Sequence, residues 1–434
     1  MSKVRPAWIS YSAIVLACGV ALSDAGAGDT PTPSGHDQTQ AGTATAGLSR
    51  QEVYRQVEAL TKIGRTMFAD PALSVSGQMS CASCHDPAHH YGPPNALPVQ
   101  PGGRTLTQAG TRAVPTLTYK QATPQFSEHF HESEDEADES VDAGPTGGLT
   151  WDGRVDRGRD QALIPLLSPF EMANTDRAAL SSVIDARYGA ALRAALGASM
   201  PLGPEGMLEA GVKALEAFQQ DPATFYPYSS KYDAYLTGRA TLTPQEGRGL
   251  ELFNDEQKGN CASCHVSTVR GDRTPPQFTD YGLIAIGVPR NPTIGANADP
   301  AFFDLGLCGP ERIDLKDHAE YCGAFKTPTL RNVASRQTFF HNGAFHNLRE
   351  VVAFYVERDT KPEKWYPRGP DDTVAKYDDL PAQYHGNINV DPPFDRGPGQ
   401  TPALSDTEID DVVAFLGTLT DGWKAPRPDT TDLP

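Results

Sequence analysis

Two five-residue runs, Cys81-Ala82-Ser83-Cys84-His85 and Cys261-Ala262-Ser263-Cys264-His265, stand 180 residues apart in a chain of 434. Two thiols at this spacing can form thioethers to two vinyl groups, and the histidine that follows can offer a ring nitrogen to an iron. The runs therefore read as attachment sites for two covalently bound haem c groups. Cys81, Cys84, Cys261 and Cys264 would be the anchors, and His85 and His265 the iron ligands. A zinc site would need further Cys or His in metal-finger spacing, which neither run has, and a redox dithiol has no need of a histidine in both copies.

Three of the seven cysteines lie outside these runs. Lys3 and Arg5 precede a short apolar stretch, Ala7 to Leu22, which is the layout of a secretory signal over residues 1–23 and is too short for a membrane span. Val15-Leu16-Ala17-Cys18 has the form of a lipobox, which would make Cys18 a lipidation site and give the chain a lipid anchor; a cut after Ala21-Leu22-Ser23 is the rival. Either way the chain is exported, to the periplasm, and residues 24–48, rich in Gly, Thr, Ala, Ser and Pro, form a flexible linker. In that oxidising setting Cys308 and Cys322, which flank a loop of thirteen residues, are expected to pair, contributing about 3 kcal/mol.

The elements that must hold these groups are legible as helices. Ser49-Arg50-Gln51-Glu52, Thr243-Pro244-Gln245-Glu246 and Ser405-Asp406-Thr407-Glu408 are capping boxes. Val53, Val57, Leu60 and Phe68 follow the first box, Leu250, Leu252 and Phe253 the second, and Ile409, Val412, Val413 and Leu416 the third. The order of helix then haem run occurs twice. The sequence predicts a mainly α chain of two cytochrome c-like haem domains, 49–240 and 241–425, with a tail at 426–434. Forty glycines and 37 prolines imply long ordered loops between the helices. A formal charge of −18 argues against nucleic acid and anionic membrane surfaces as electrostatic partners and accommodates a basic protein. The acidic run from Glu132 to Asp142 reads as a solvated loop. Trp365-Tyr366 fits either a partner surface or internal packing.

Beyond the haem runs, Trp151-Asp152-Gly153-Arg154, the stretch Gln161-Ala162-Leu163-Ile164-Pro165 through Glu171-Met172, and Lys326-Thr327-Pro328-Thr329-Leu330-Arg331-Asn332 leading to His341-Asn342-Gly343 occur in a set order. Over about 380 residues the chain resembles the bacterial di-haem cytochrome c peroxidase and MauG superfamily. The resemblance implies a haem-dependent peroxidase whose N-terminal haem reacts with H2O2 in a distal pocket of Gln161, Pro165 and Glu171. A carboxylate beside the iron would shuttle a proton between the peroxide oxygens while an amide holds the peroxide, and burial beside residues such as Phe170 would raise the Glu171 pKa. Without the resemblance, Glu171 reads as a surface acid and Trp151 as core packing; with it, Trp151 relays electrons between the haems.

The far ligand of the second haem separates the subfamilies. The peroxidases carry a methionine fourteen residues after the histidine of the His-x-Gly element, and here that position is Tyr355. A tyrosine there resembles MauG. Leu348, Val351, Val352 and Tyr355 share one helical face, which also suits a core tyrosine. A phenolate ligand stabilises oxidised iron, whereas a thioether favours ferrous iron and a high potential. The resemblance therefore implies high-valent iron shared between the two haems and a partner protein as the oxidised substrate. The alternative is reduction of H2O2 to water with electrons from a small cytochrome or cupredoxin.

Other positions depart from the family. The loop histidine that blocks the first haem in many peroxidases corresponds to the region of Thr105, where no histidine lies. His89 and His90 are too close to His85 to replace it, and His129 and His131 stay open as candidates. An accessible first haem that needs no reductive activation is the expectation. Calcium is doubtful: the family's Asn after an arginine is replaced by Ala113, which follows Arg112, although carbonyl ligands near Arg336 and Thr338 remain.

Overall fold

The computed structural model describes residues 48–131, 142–201 and 203–425; the export segment with Cys18, the linker to residue 47, the acidic residues 132–141 and the tail 426–434 lie outside the described residues. The described chain is mainly helical. Its helices are α1 Arg50–Phe68, α2 Cys81–Cys84, α3 Gly158–Leu167, α4 Arg177–Leu196, α5 Gly206–Gln219, α6 Pro222–Phe225, α7 Lys231–Leu236, α8 Pro244–Asn254, α9 Leu348–Glu357 and α10 Asp406–Gly417. Four two-residue strands form two antiparallel ladders: β1 Pro101–Gly102 with β2 Gln108–Ala109, and β3 Leu283–Ile284 with β4 Phe325–Lys326.

The helices enclose two main apolar cores. Leu60, Met67 and Phe68 of α1, Leu166 of α3, Ile184 of α4 and Leu215 and Phe218 of α5 form the first. Phe253 of α8, Val352 and Phe354 of α9, and Ile409, Val412 and Phe415 of α10 form the second. The same crossing device builds both. A Cβ at Gly64 on α1 would stand 1.9 Å from the Ala214 carbonyl oxygen and 2.9 Å from Phe218 Cβ on α5; one at Gly249 on α8 would meet the Asp411 carbonyl oxygen at 2.0 Å and Phe415 Cβ at 2.8 Å on α10. Each time a carbonyl and an aromatic one turn further on face a glycine, so two helices cross at backbone contact. Each time the glycine sits on the helix that leads to a haem run.

The helix starts differ in detail. Thr243 and Ser405 complete reciprocal boxes with Glu246 and Glu408. Ser49 Oγ accepts from the Glu52 amide at 3.2 Å, but the Glu52 carboxylate turns to Arg55 at 2.5 Å, so that box is half closed. Val53 and Val57 are 44% and 47% exposed, against expectation, because the buried face of α1 begins only at Leu60.

The junction between the cores falls earlier than residue 240. Phe225 and Tyr226 pack in the first core, whereas Tyr232 and Leu236 of α7 pack in the second, with the Tyr232 ring 5.5 Å from Phe278 and 5.4 Å from Phe415. The halves also interlock. Phe126 leaves the first half and packs in a third cluster with Leu283, Leu307, Leu315 and Ala324. There Leu283 donates its amide to the Pro145 carbonyl at 2.8 Å and Gly147 donates to Tyr281 at 2.9 Å. The loop of this cluster is closed by the Cys308–Cys322 disulfide.

Candidate functional site: two haem-attachment sites and the cavity between them

In the first run, α2 is a single turn in which the Ser80 amide donates to Ser83 Oγ at 3.0 Å and His85 donates its amide to the Cys81 carbonyl at 2.9 Å. The His85 ring then lies with Nδ1 3.1 Å from the Tyr91 carbonyl oxygen. Because a carbonyl only accepts, Nδ1 carries the proton and Nε2 keeps its lone pair. Tyr91 is held by Phe225 and Phe68, its ring 4.4 and 5.7 Å from theirs, so the acceptor is fixed by the first core.

The second run repeats this logic. His265 donates its amide to Cys261 O at 2.8 Å, and its Nδ1 lies 3.0 Å from the carbonyl of Phe278, a fully buried residue at φ +53°. Burial pushes the His85 imidazole down to about 4 and lowers His265 as well, so both rings are neutral near pH 7. Cys81, Cys84, Cys261 and Cys264 are unpaired. Two free thiols beside a histidine with a free Nε2, built twice, is the donor set that a covalent haem requires, and the residues present fit that group.

Gln161 and Pro165 lie on α3. Pro165 cannot donate to the Gln161 carbonyl one turn earlier. The Gln161 side chain lines the cavity between the cores and makes no hydrogen bond among the described residues. Glu171 sits in the turn after α3, where hairpin β1–β2 lies on it: Gly103 donates its amide to the Glu171 carbonyl at 2.7 Å, and a Cβ at Gly102 would stand 2.2 Å from the Phe170 carbonyl oxygen. Burial raises the Glu171 carboxyl above the usual range, opposed by a Ser168 hydrogen bond and by Arg154, and its charge bears on Cys81 and Cys84. Phe170 is not the apolar wall expected from the sequence; it is 45% exposed, because the turn directs it to solvent.

Trp151 is buried, and its Nε1 donates to the Ala113 carbonyl at 2.8 Å while Lys326 donates its amide to the Trp151 carbonyl at 2.8 Å. The neighbouring Asp152 accepts Arg112 Nη1 at 2.6 Å and Arg154 Nη1 at 2.8 Å, and Arg112 also grips Asp304 at 2.6 and 2.8 Å. Burial opposes ionisation of Asp152, yet the two guanidiniums hold it at about 2.

Tyr355 projects from α9 into a cavity it shares with Cys261, Cys264 and His265, with Trp151 and Gln161 also on its wall. Its ring centroid lies 6.0 Å from Phe340 and 5.6 Å from Phe394, and its hydroxyl has no hydrogen-bond partner among the described residues. Burial pushes its phenol up.

The remaining candidates are placed as follows. Thr105 is exposed at the hairpin tip. His89 Nδ1 donates to the Asp86 carboxylate at 2.7 Å, and exposed His129 pairs with Asp142 at 2.5 Å. The Ala113 carbonyl is taken by Trp151 and the Thr338 carbonyl by Arg336 Nε at 3.2 Å, and no cluster of three or more His, Cys, Asp or Glu suited to a metal occurs among the described residues. Trp365 packs on Phe345 and Phe354 at 5.8 and 5.7 Å, and buried Tyr366 donates to Gly287 O at 2.5 Å, so this pair is internal packing. Three cations stand on the cavity wall, Lys120, Lys326 and Arg336; the sequence singles out Lys326 only as a motif residue and Arg336 only for a nearby carbonyl. Lys326 opens a motif that had been recognised, but a lone lysine such as Lys120 carries no signal.

Two mainly α cores, each with a haem-attachment run, define a di-haem c-type protein. Comparison with known proteins agrees. Residues 58–241 match the family described as di-haem cytochrome c peroxidase. The chain is 34% identical over 381 residues to the methylamine utilization protein MauG of Paracoccus denitrificans, covering 84% of this chain and 89% of that one. It is 27% identical over 297 residues to the cytochrome c551 peroxidase of Pseudomonas aeruginosa, covering 67% and 70%. The crystal structure of the diheme peroxidase BthA from Burkholderia thailandensis superposes with a TM-score of 0.73 at 42% identity, covering 83% of this chain and 86% of that one. The chain belongs to the di-haem cytochrome c peroxidase family and is a haem-dependent peroxidase, an oxidoreductase acting on H2O2.

Proposed function

We propose that the chain is a periplasmic, MauG-like oxidase that uses H2O2 to oxidise a partner protein. The observation that carries this reading is Tyr355: it stands in the cavity with Cys261, Cys264 and His265, with an unengaged hydroxyl. Two covalent haems, ligated by His85 and by His265 with Tyr355, would supply the reduction of the peroxide bond and the storage of its oxidising equivalents. Gln161 orients the peroxide through its free amide. Glu171 takes a proton from one peroxide oxygen and returns it to the other, which leaves as water; its raised pKa keeps it basic enough to accept and acidic enough to release. Pro165 frees the α3 backbone beside Gln161. Trp151, locked by Ala113 and by the Asp152 network, keeps the orientation that a relay between the two haems needs. Cys18 would tether the mature chain to the membrane through the linker 24–48.

The second reading, a peroxidase that reduces H2O2 to water with electrons from a small cytochrome or cupredoxin, draws on the likeness to cytochrome c551 peroxidase. The variants Tyr355→Met and Trp151→Phe separate the two readings. If the first holds, one equivalent of H2O2 perturbs both haem spectra in the wild type, and each variant loses the signal at the second haem. Survival of the shared response in both variants would remove the tyrosine and the relay from the mechanism.

A further inference from the structure

Lys120, Lys326 and Arg336 come from three separate segments and line the same cavity as Trp151, His265 and Tyr355. Each is satisfied only by neutral oxygens. Lys120 Nζ donates to the Gln219 amide oxygen, Lys326 Nζ to the Gly148 carbonyl at 2.6 Å, and Arg336 to the Val114 and Thr338 carbonyls at 3.0 and 3.2 Å. None has a carboxylate within 4.0 Å among the described residues, although Arg112, Arg331 and Arg358 each hold an aspartate. Glu216 is the acid that bears on Lys120, and Asp152 the acid that bears on Lys326, but Asp152 is already held by Arg112 and Arg154. The positive charges of Lys120 and Arg336 reach His85, and that of Lys120 reaches Lys326. Withdrawing cations from water without a counter-ion is costly even when they are half-buried, and an acidic chain with carboxylates to spare has left these three without one.

We propose that Lys120, Lys326 and Arg336 form a shared seat for the propionate carboxylates of the two haems where the haem domains face each other. The proposal rests on the di-haem reading above. The propionates would supply the anions that the three cations lack, and the cations would hold them and favour the reduced state of the group they serve, raising its potential. Burial lowers Lys120 and Lys326 to about 8 and Arg336 to about 10, in keeping with cations that have no anion beside them before the haems are in place.

The test uses holoprotein, as wild type and as Lys120→Met, Lys326→Met and the two Lys→Arg variants, each studied singly. A pyridine haemochrome assay first counts haems; fewer than two in the wild type would overturn the di-haem reading itself. Spectroelectrochemical titration and the propionate bending mode in resonance Raman then report on the seat. The Met variants are expected to shift at least one midpoint potential downward, to acquire a proton-linked step as a released propionate titrates, and to move the propionate band; Arg restores all three. Met variants with two haems, unchanged potentials and an unchanged band would overturn the proposal. So would a wild-type potential that shifts with inorganic phosphate as far as it does on mutation, because the seat would then serve a mobile anion.

Discussion

Each attachment histidine commits Nδ1 to a core carbonyl and keeps Nε2, and that one choice turns two Cys-x-x-Cys-His runs into oriented ligands. In the proposed mechanism the remaining chemistry at this scale rests on Glu171. Burial raises its carboxyl above the ordinary range, so the basic form proposed to accept the peroxide proton appears only as pH rises through that raised value. The peroxide reaction rate should climb with pH over this interval in the wild type. In Glu171→Gln the climb should vanish and the rate should fall about 10²–10⁴-fold, with both haems retained, as stopped-flow mixing would show. Asp152 works in the opposite sense. Held at about 2 by Arg112 and Arg154, it contributes stability that is complete above the ordinary carboxylate pKa of about 3.9 and is lost as pH falls toward 2. Arg112 keeps Asp304, so Asp152→Asn should cost about 2–3 kcal/mol at neutral pH and flatten the acid limb of the unfolding profile.

At the scale of elements, the fold depends on two backbone-close crossings, α1 on α5 and α8 on α10. Gly64→Ala and Gly249→Ala each drive a methyl into a facing carbonyl, and each should lower stability by about 1–3 kcal/mol in thermal melts. A variant that melts like the wild type would mean that the crossing gives way cheaply. What the sequence made legible here was local. The boxes at Thr243 and Ser405 are closed by residues three apart, and the α9 and α10 faces follow from their periodicity. What it hid was decided by competing partners and by where the core begins. Glu52 prefers Arg55 to its cap, Val53 and Val57 extend past the core they were expected to join, and Phe170 is turned outward by the loop that positions Glu171.

Across the whole molecule, two cores are joined by side chains from many segments, and this is where sequence reading had least purchase. The haem runs, Trp151 and Tyr355 each belong to a motif and could be named; the Lys120, Lys326 and Arg336 wall exists only once three segments meet. The disulfide lies between these extremes, since Cys308 and Cys322 are near in sequence and the loop between them closes the third cluster. Replacing both by serine should lower unfolding free energy by about 3 kcal/mol in denaturant titrations and leave both haem spectra unchanged. The central claim, that the two haems act together on peroxide through a tyrosine-ligated second site, meets its most direct test in one measurement. One equivalent of H2O2 is added to the fully ferric protein, with no reductant, and Mössbauer spectra are recorded at once. The account predicts an immediate change in the signals of both irons. No reaction until one haem has first been reduced, or a change confined to a single iron, would contradict it.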